Sequence, residues 1–313
     1  MRIPSPQLTT LRVLLCCLAL AGCSGAISQA QKSAATSSAT PSLQYIAQWG
    51  VKGDGAGQLN QPSGIACGAR GDVFIADLGS AFISKFAYEG KPLLSFQEDG
   101  MNHPQSITLD SGGGIYVADS VRNSIFIFLP SGDRYRELHL RTRTAVGNFL
   151  SVAVTSDGMI HILDPAAGKI FTYTSRLRLV QTSEPRETVQ DTGRFGPLVR
   201  GNDDNLYLGT PSGGIMQLTH DGRLVTELVA SNGAQWNPNS GFAVAYNSVF
   251  VMDPNGRTLH IVSTDGTPKL DADLAPQLGE GHRRPPAIAI SSRSELLVLD
   301  ADESRVLRYH IAF

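Results

Sequence analysis

Charge and cysteine are both scarce in this 313-residue chain, and each shortage excludes something. Charged residues make up only 17% of it, and the formal net charge is −2. A weakly charged, slightly acidic chain lacks the basic footprint that phosphate backbones demand, so nucleic acid is not an expected partner. Three of the four cysteines, Cys16, Cys17 and Cys23, crowd into the first 23 residues, which leaves Cys67 alone in the remainder. No intramolecular disulfide can staple that remainder, so its stability must come from packing. Long hydrophobic runs are missing too. The apolar stretch at residues 13–20 is far shorter than the roughly 20 residues of a membrane-spanning helix. What the chain does have is 42% hydrophobic residues, 32 glycines and 17 prolines. That mixture suits many short strands joined by tight turns better than long helices.

The N-terminus reads as an export signal. Arg2 and Arg12 supply positive charge, the short apolar run follows, and small residues come at Ala21 and Gly22. Leu20-Ala21-Gly22-Cys23 resembles the lipobox of bacterial lipoproteins. The resemblance implies a signal peptide at 1–22, acylation of Cys23 and attachment to a membrane through that lipid. Ser24, rather than Asp, after the cysteine fits transfer to the outer membrane. Cleavage would remove two arginines and no acid, taking the formal charge from −2 to −4. Residues 24–42 are mostly Ser, Ala, Thr, Gln and Gly without apolar periodicity. With Cys23 they make an expected lipid-anchored flexible tether at 23–42, unable to bury enough surface to fold.

The rest of the chain repeats. Val73-Phe74-Ile75-Ala76-Asp77, Ile115-Tyr116-Val117-Ala118-Asp119, Ile160-His161-Ile162-Leu163-Asp164, Leu206-Tyr207-Leu208-Gly209, Val249-Phe250-Val251-Met252-Asp253 and Leu296-Leu297-Val298-Leu299-Asp300 align as six buried strands. Their ends recur every 42 to 47 residues, the period of a four-stranded propeller blade. Six residues beyond each end a second apolar run starts, at Ile83, Ile125, Ile170, Ile215, Leu259 and Val306. A constant offset means a hairpin of fixed length. Runs rich in small residues precede the aligned segments, as in Gly64-Ile65-Ala66, Ser151-Val152-Ala153 and Ala287-Ile288-Ala289, and suit the crowded strand nearest a propeller axis.

Gly53-Asp54-Gly55-Ala56-Gly57-Gln58-Leu59-Asn60-Gln61-Pro62-Ser63-Gly64-Ile65-Ala66, followed by Val73-Phe74-Ile75-Ala76-Asp77, resembles an NHL repeat. The second repeat matches well and the others progressively less. The expected fold is all-β: a six-bladed β-propeller of four-stranded antiparallel blades over residues 43–313. The last repeat supplies three strands, and residues 43–49 precede the first without a partner, so the latter are expected to close the last blade.

The aspartate at the strand end recurs at Asp77, Asp119, Asp164, Asp253 and Asp300. Such repetition points to bonding of turn backbone rather than to chemistry; Gly209-Thr210 replaces it in the fourth repeat. Among the seven histidines, His161 and His260 occupy packing slots, while His139, His220 and His310 lie on outer strands or turns. Only His103 and His282 fall just before inner strands. NHL-type amidating lyases bind metal through histidines near those strands, and related lactonases use acidic and Asn ligands. The corresponding stretches here, from Gln61-Pro62-Ser63 to Arg284-Pro285-Pro286, offer one histidine and no carboxylate. No metal, other cofactor or catalytic residue is therefore assigned.

A polar face remains. His103, Gln105, Arg194, Trp236, Asn237, Asn239, His282, Arg283 and Arg284 lie in loops entering inner strands, and Trp and Arg are favoured interface anchors. A second basic group, Arg134, Arg136, Arg141 and Arg143, is expected on an outer strand. The expected function is a monomeric, non-catalytic binding or scaffold module of the cell envelope, recognising a protein, peptide or glycan. The alternative is a metal-dependent lyase or lactonase at the channel mouth.

Overall fold

The computed structural model describes residues 40–140, 151–165, 167–185, 194–231, 234–238, 241–279 and 287–313. They form six antiparallel four-stranded sheets. Strand β1 (Ser42–Trp49) comes first in the chain. Then come β2 (Pro62–Cys67), β3 (Val73–Asp77), β4 (Ile83–Phe86) and β5 (Pro92–Phe96) as blade 1, and β6 (Pro104–Leu109), β7 (Ile115–Asp119), β8 (Ser124–Phe128) and β9 (Arg134–His139) as blade 2. Blade 3 holds β10 (Ser151–Val154), β11 (Ile160–Asp164), β12 (Lys169–Tyr173) and β13 (Leu179–Ser183), and blade 4 holds β14 (Leu198–Arg200), β15 (Leu206–Gly209), β16 (Ile215–Leu218) and β17 (Leu224–Leu228). Blade 5 holds β18 (Phe242–Ala245), β19 (Ser248–Met252), β20 (Thr258–Ser263) and β21 (Pro268–Asp273), followed by the short helix α1 (Ala275–Leu278). The last sheet runs β22 (Ala287–Ile290), β23 (Glu295–Asp300), β24 (Arg305–Ala312) and then β1.

The ring is thus closed by the N-terminal strand, as the sequence led us to expect. β1 pairs antiparallel with β24 from Ser42 opposite Ala312 to Trp49 opposite Val306, with one irregularity between Tyr45 and Ala47. Pairing starts at Ser42, one residue before the expected boundary. The inner strands touch in succession around the axis, and β22 meets β2 to complete the circle.

Burial explains the patterning. The second strand of each blade is covered on both faces by neighbouring blades, so β3, β7, β11, β15 and β19 are buried at every position. Such strands read as continuous apolar runs rather than as alternation. The outermost strands β5, β9, β13, β17 and β21 are mostly exposed or half-buried, with Leu138 on β9 and Leu228 on β17 the buried exceptions. Gly64 shows why inner strands need small residues: a Cβ there would stand 3.1 Å from the Gln105 carbonyl and 3.2 Å from Ile107 Cγ2 in the next blade. Even a methyl group there would press on the backbone of blade 2, which would have to give by a few tenths of an ångström.

Polar contacts fasten the blades as well. Ser63 Oγ donates to the Pro104 carbonyl at 2.6 Å. Ser151 Oγ accepts from Leu198 N–H at 2.9 Å across blades 3 and 4, and Ser304 Oγ donates to the Asn60 carbonyl between the last blade and the first. Arg308 and Glu295, both buried, form a two-oxygen pair within the last blade.

Candidate functional site

The recurrent aspartates organise the face where the inner strands begin. Asp77 accepts N–H bonds from Asn60 and Gln61 in the loop entering blade 1, and from Gly79 and Ser80 in the turn after β3. One carboxylate therefore ties two loops. Asp119 repeats the arrangement with Asn102, His103 and Arg122. Asp253 binds Arg257 and Thr258 N–H groups, and Asp300 accepts from Glu303 N–H and Arg305 Nε. These groups bond turn backbone. In blade 4 the buried Thr210 takes over, its Oγ1 accepting from Gly214 N–H at 2.9 Å.

The candidate binding residues end in different places. His103 is exposed, with its backbone fixed by Asp119. Gln105, the second residue of β6, borders the central channel. Arg194 is exposed at the approach to blade 4. Trp236, expected to stand on the surface as an anchor, is only 7% exposed and packs with Tyr207, Phe242 and Val251 between blades 4 and 5. Asn237 gives its N–H to the Met252 carbonyl at 2.8 Å. Asn239, His282, Arg283 and Arg284 lie outside the described residues.

Other sequence candidates resolve more simply. His161 is buried and bonds Thr172 Oγ1 at 3.1 Å; burial pulls its pKa down to about 4, so it is neutral at physiological pH. His260 Nδ1 meets Asp271 at 2.8 Å on the blade 5 edge. Arg134 sits on β9 as expected and pairs with Glu98 and Glu137, each at 2.6 Å. Arg141 and Arg143 lie outside the described residues.

The largest feature of the axis is the channel itself, a cavity of about 440 Å³ walled by all six inner strands. That lies within the roughly 300–1,000 Å³ typical of small-molecule sites. Its described wall is neutral: alanines, serines, branched aliphatics and backbone surround it, and Arg200 is the one charged residue among them. Arg200 is itself paired with Asp204 at 3.2 Å. Cys67 also borders the channel while packing against the core between the first and last blades, and burial, aided by Glu295, pushes its thiol pKa up to about 12. A thiol held protonated is a poor nucleophile. Gln105 Oε1 is buried without a hydrogen-bond partner among the described residues. Among those residues no group of three or more His, Cys, Asp or Glu is placed to hold a metal ion.

Sequence reasoning pointed to the loops and missed the channel wall, whose small residues carry no motif of their own. It also missed Tyr246, which lines the opposite end of the channel.

Comparison with known proteins bears on the fold. The NHL repeat family model matches residues 101–128. No curated protein matches the sequence. A streptogramin B lyase structure superposes with a TM-score of 0.60 at 16% identity, covering 87% of this chain and 88% of the other. A catalytically inactive virginiamycin B lyase from Staphylococcus aureus, in complex with quinupristin, gives 0.57 at 15% identity over 86% and 99%. A protein of unknown function from Bacteroides caccae gives 0.55 at 12% identity over 73% and 85%. At such identities the likeness is one of fold. The chain is a six-bladed β-propeller that carries an NHL repeat.

Proposed function

We propose that the protein is a non-catalytic binding module of the bacterial cell envelope, held there by lipid on Cys23, with the central channel as its ligand site. The observation that carries the reading is the central channel itself, about 440 Å³ and walled by all six inner strands, whose one charged residue in the described wall, Arg200, is paired with Asp204. General acid–base chemistry needs a titratable group within hydrogen-bond reach of the substrate. The titratable groups of the described wall are Cys67, held protonated, Arg200, paired with Asp204, and Tyr246, whose hydroxyl is bonded to Ser291 and Ser294. The lipobox and the polar segment after it support the anchor.

A second reading, a lyase, is favoured by the streptogramin and virginiamycin B lyases among the structural neighbours. Incubating the full chain with quinupristin and following the compound by chromatography separates the two. The binding reading expects unchanged quinupristin, and its conversion would favour the lyase.

A further inference from the structure

We infer that the channel mouth formed by the hairpins between first and second strands is a binding site for a neutral hydroxylated ring, a saccharide of one or two units. This rests on the binding-module reading and gives that site a ligand class and a direction of approach.

The cavity does not stop where the inner strands stop. Its wall continues past them into Gly68, Asn202, Tyr246, Ser291 and Ser292, all in or beside the first hairpins of their blades. Tyr246 is the feature that marks this mouth. Ala245 pairs with Ser248, so Tyr246 and Asn247 form a two-residue turn, with φ of +52° and +50°. Both left-handed positions of such a turn favour Asn, Asp or Gly. A tyrosine there is strained, and strained residues concentrate at sites where their side chain is used.

The strain puts an aromatic face at the mouth. Tyr246 is 36% exposed, and its ring lies 5.1 Å from that of Phe313, itself exposed. The Tyr246 hydroxyl donates to the Ser291 carbonyl at 3.3 Å and accepts from Ser294 Oγ at 3.2 Å, so the ring is fixed from the neighbouring blade.

Three properties then select the ligand. Aromatic faces at the rim take the flat apolar side of a ring. Seryl and asparaginyl groups at the mouth take hydroxyls. The single charge of the described wall is paired, so a charged ligand would enter without a partner there for its own charge. A neutral sugar meets all three.

The test uses the full chain in detergent with maltose, cellobiose and chitobiose as probes, followed by saturation-transfer NMR and titration. At least one should bind. Tyr246→Asn should weaken it by about tenfold, the share of one good contact, without lowering the melting temperature, because Asn suits the turn better. Tyr246→Phe should keep the affinity within about twofold. No binding by any probe, or binding indifferent to Tyr246→Asn, would overturn the inference while leaving the broader binding reading in place. Binding followed by cleavage of the sugar would leave the site assigned and overturn the non-catalytic reading instead.

Discussion

Arg305 reaches Gln48 at 2.8 Å although 257 residues separate them in the chain. The same guanidinium bonds Asp300 at 2.9 Å and the carbonyls of Gln277 and Leu278. One side chain thereby gathers the closing strand β1, the end of β23 and helix α1. Deleting residues 42–49 should lower the melting temperature by roughly 10 °C or more, because β24 would lose its outer partner. Arg305→Ala should cost less, about 1–2 kcal/mol in a denaturant titration. An unchanged melt for the deletion would contradict the closure.

Asp77→Ala strips the acceptor from four backbone N–H groups. The loss should be about 2–3 kcal/mol, the worth of hydrogen bonds to a charged group. Chemical denaturation of the variant beside the parent measures it, and a shift near zero would mean that the carboxylate does not hold these loops.

These aspartates were legible in the sequence because the same turn must be built once per blade. The second strands were legible because burial on both faces leaves no polar position between Ile115 and Ala118, or between Val249 and Met252. The inner strand of blade 4 was not. Leu198-Val199-Arg200 lacks the small residues of its counterparts, and only pairing with β15 reveals it. Trp236 misled for a related reason: its flanking sequence is that of a loop, but the ring turns inward to fill the seam between two blades. Tyr246 was illegible because a Tyr-Asn pair does not look like a tight turn. The channel wall is made of ordinary strand residues whose convergence exists only once six blades close.

The His161 imidazole gives a pH dependence with a definite sign. Its folded pKa is depressed to about 4 by burial, against a usual 6.5. As pH falls below 6.5 the unfolded chain takes up the proton first, so stability present above that value is lost progressively down to about pH 4. The full loss is about 3 kcal/mol. His161→Phe places the residue type found at Phe74 and Phe250 in the equivalent slot and should flatten that part of the stability curve. Identical slopes for variant and parent between pH 4 and 6.5 would refute the assignment.

Lipid attachment makes its own prediction. In cells making the full chain, Cys23→Ala should move the protein from the membrane pellet to the soluble fraction. Unchanged fractionation would remove the anchor from the account.

The most direct test of the central claim, a binding channel without metal chemistry, is the metal content of the full chain purified without chelators and measured by mass spectrometry of the elements. The account predicts no metal at stoichiometric level. One zinc or calcium per chain would contradict it, shift the weight to the lyase reading, and make His103 and His282 the first residues to replace.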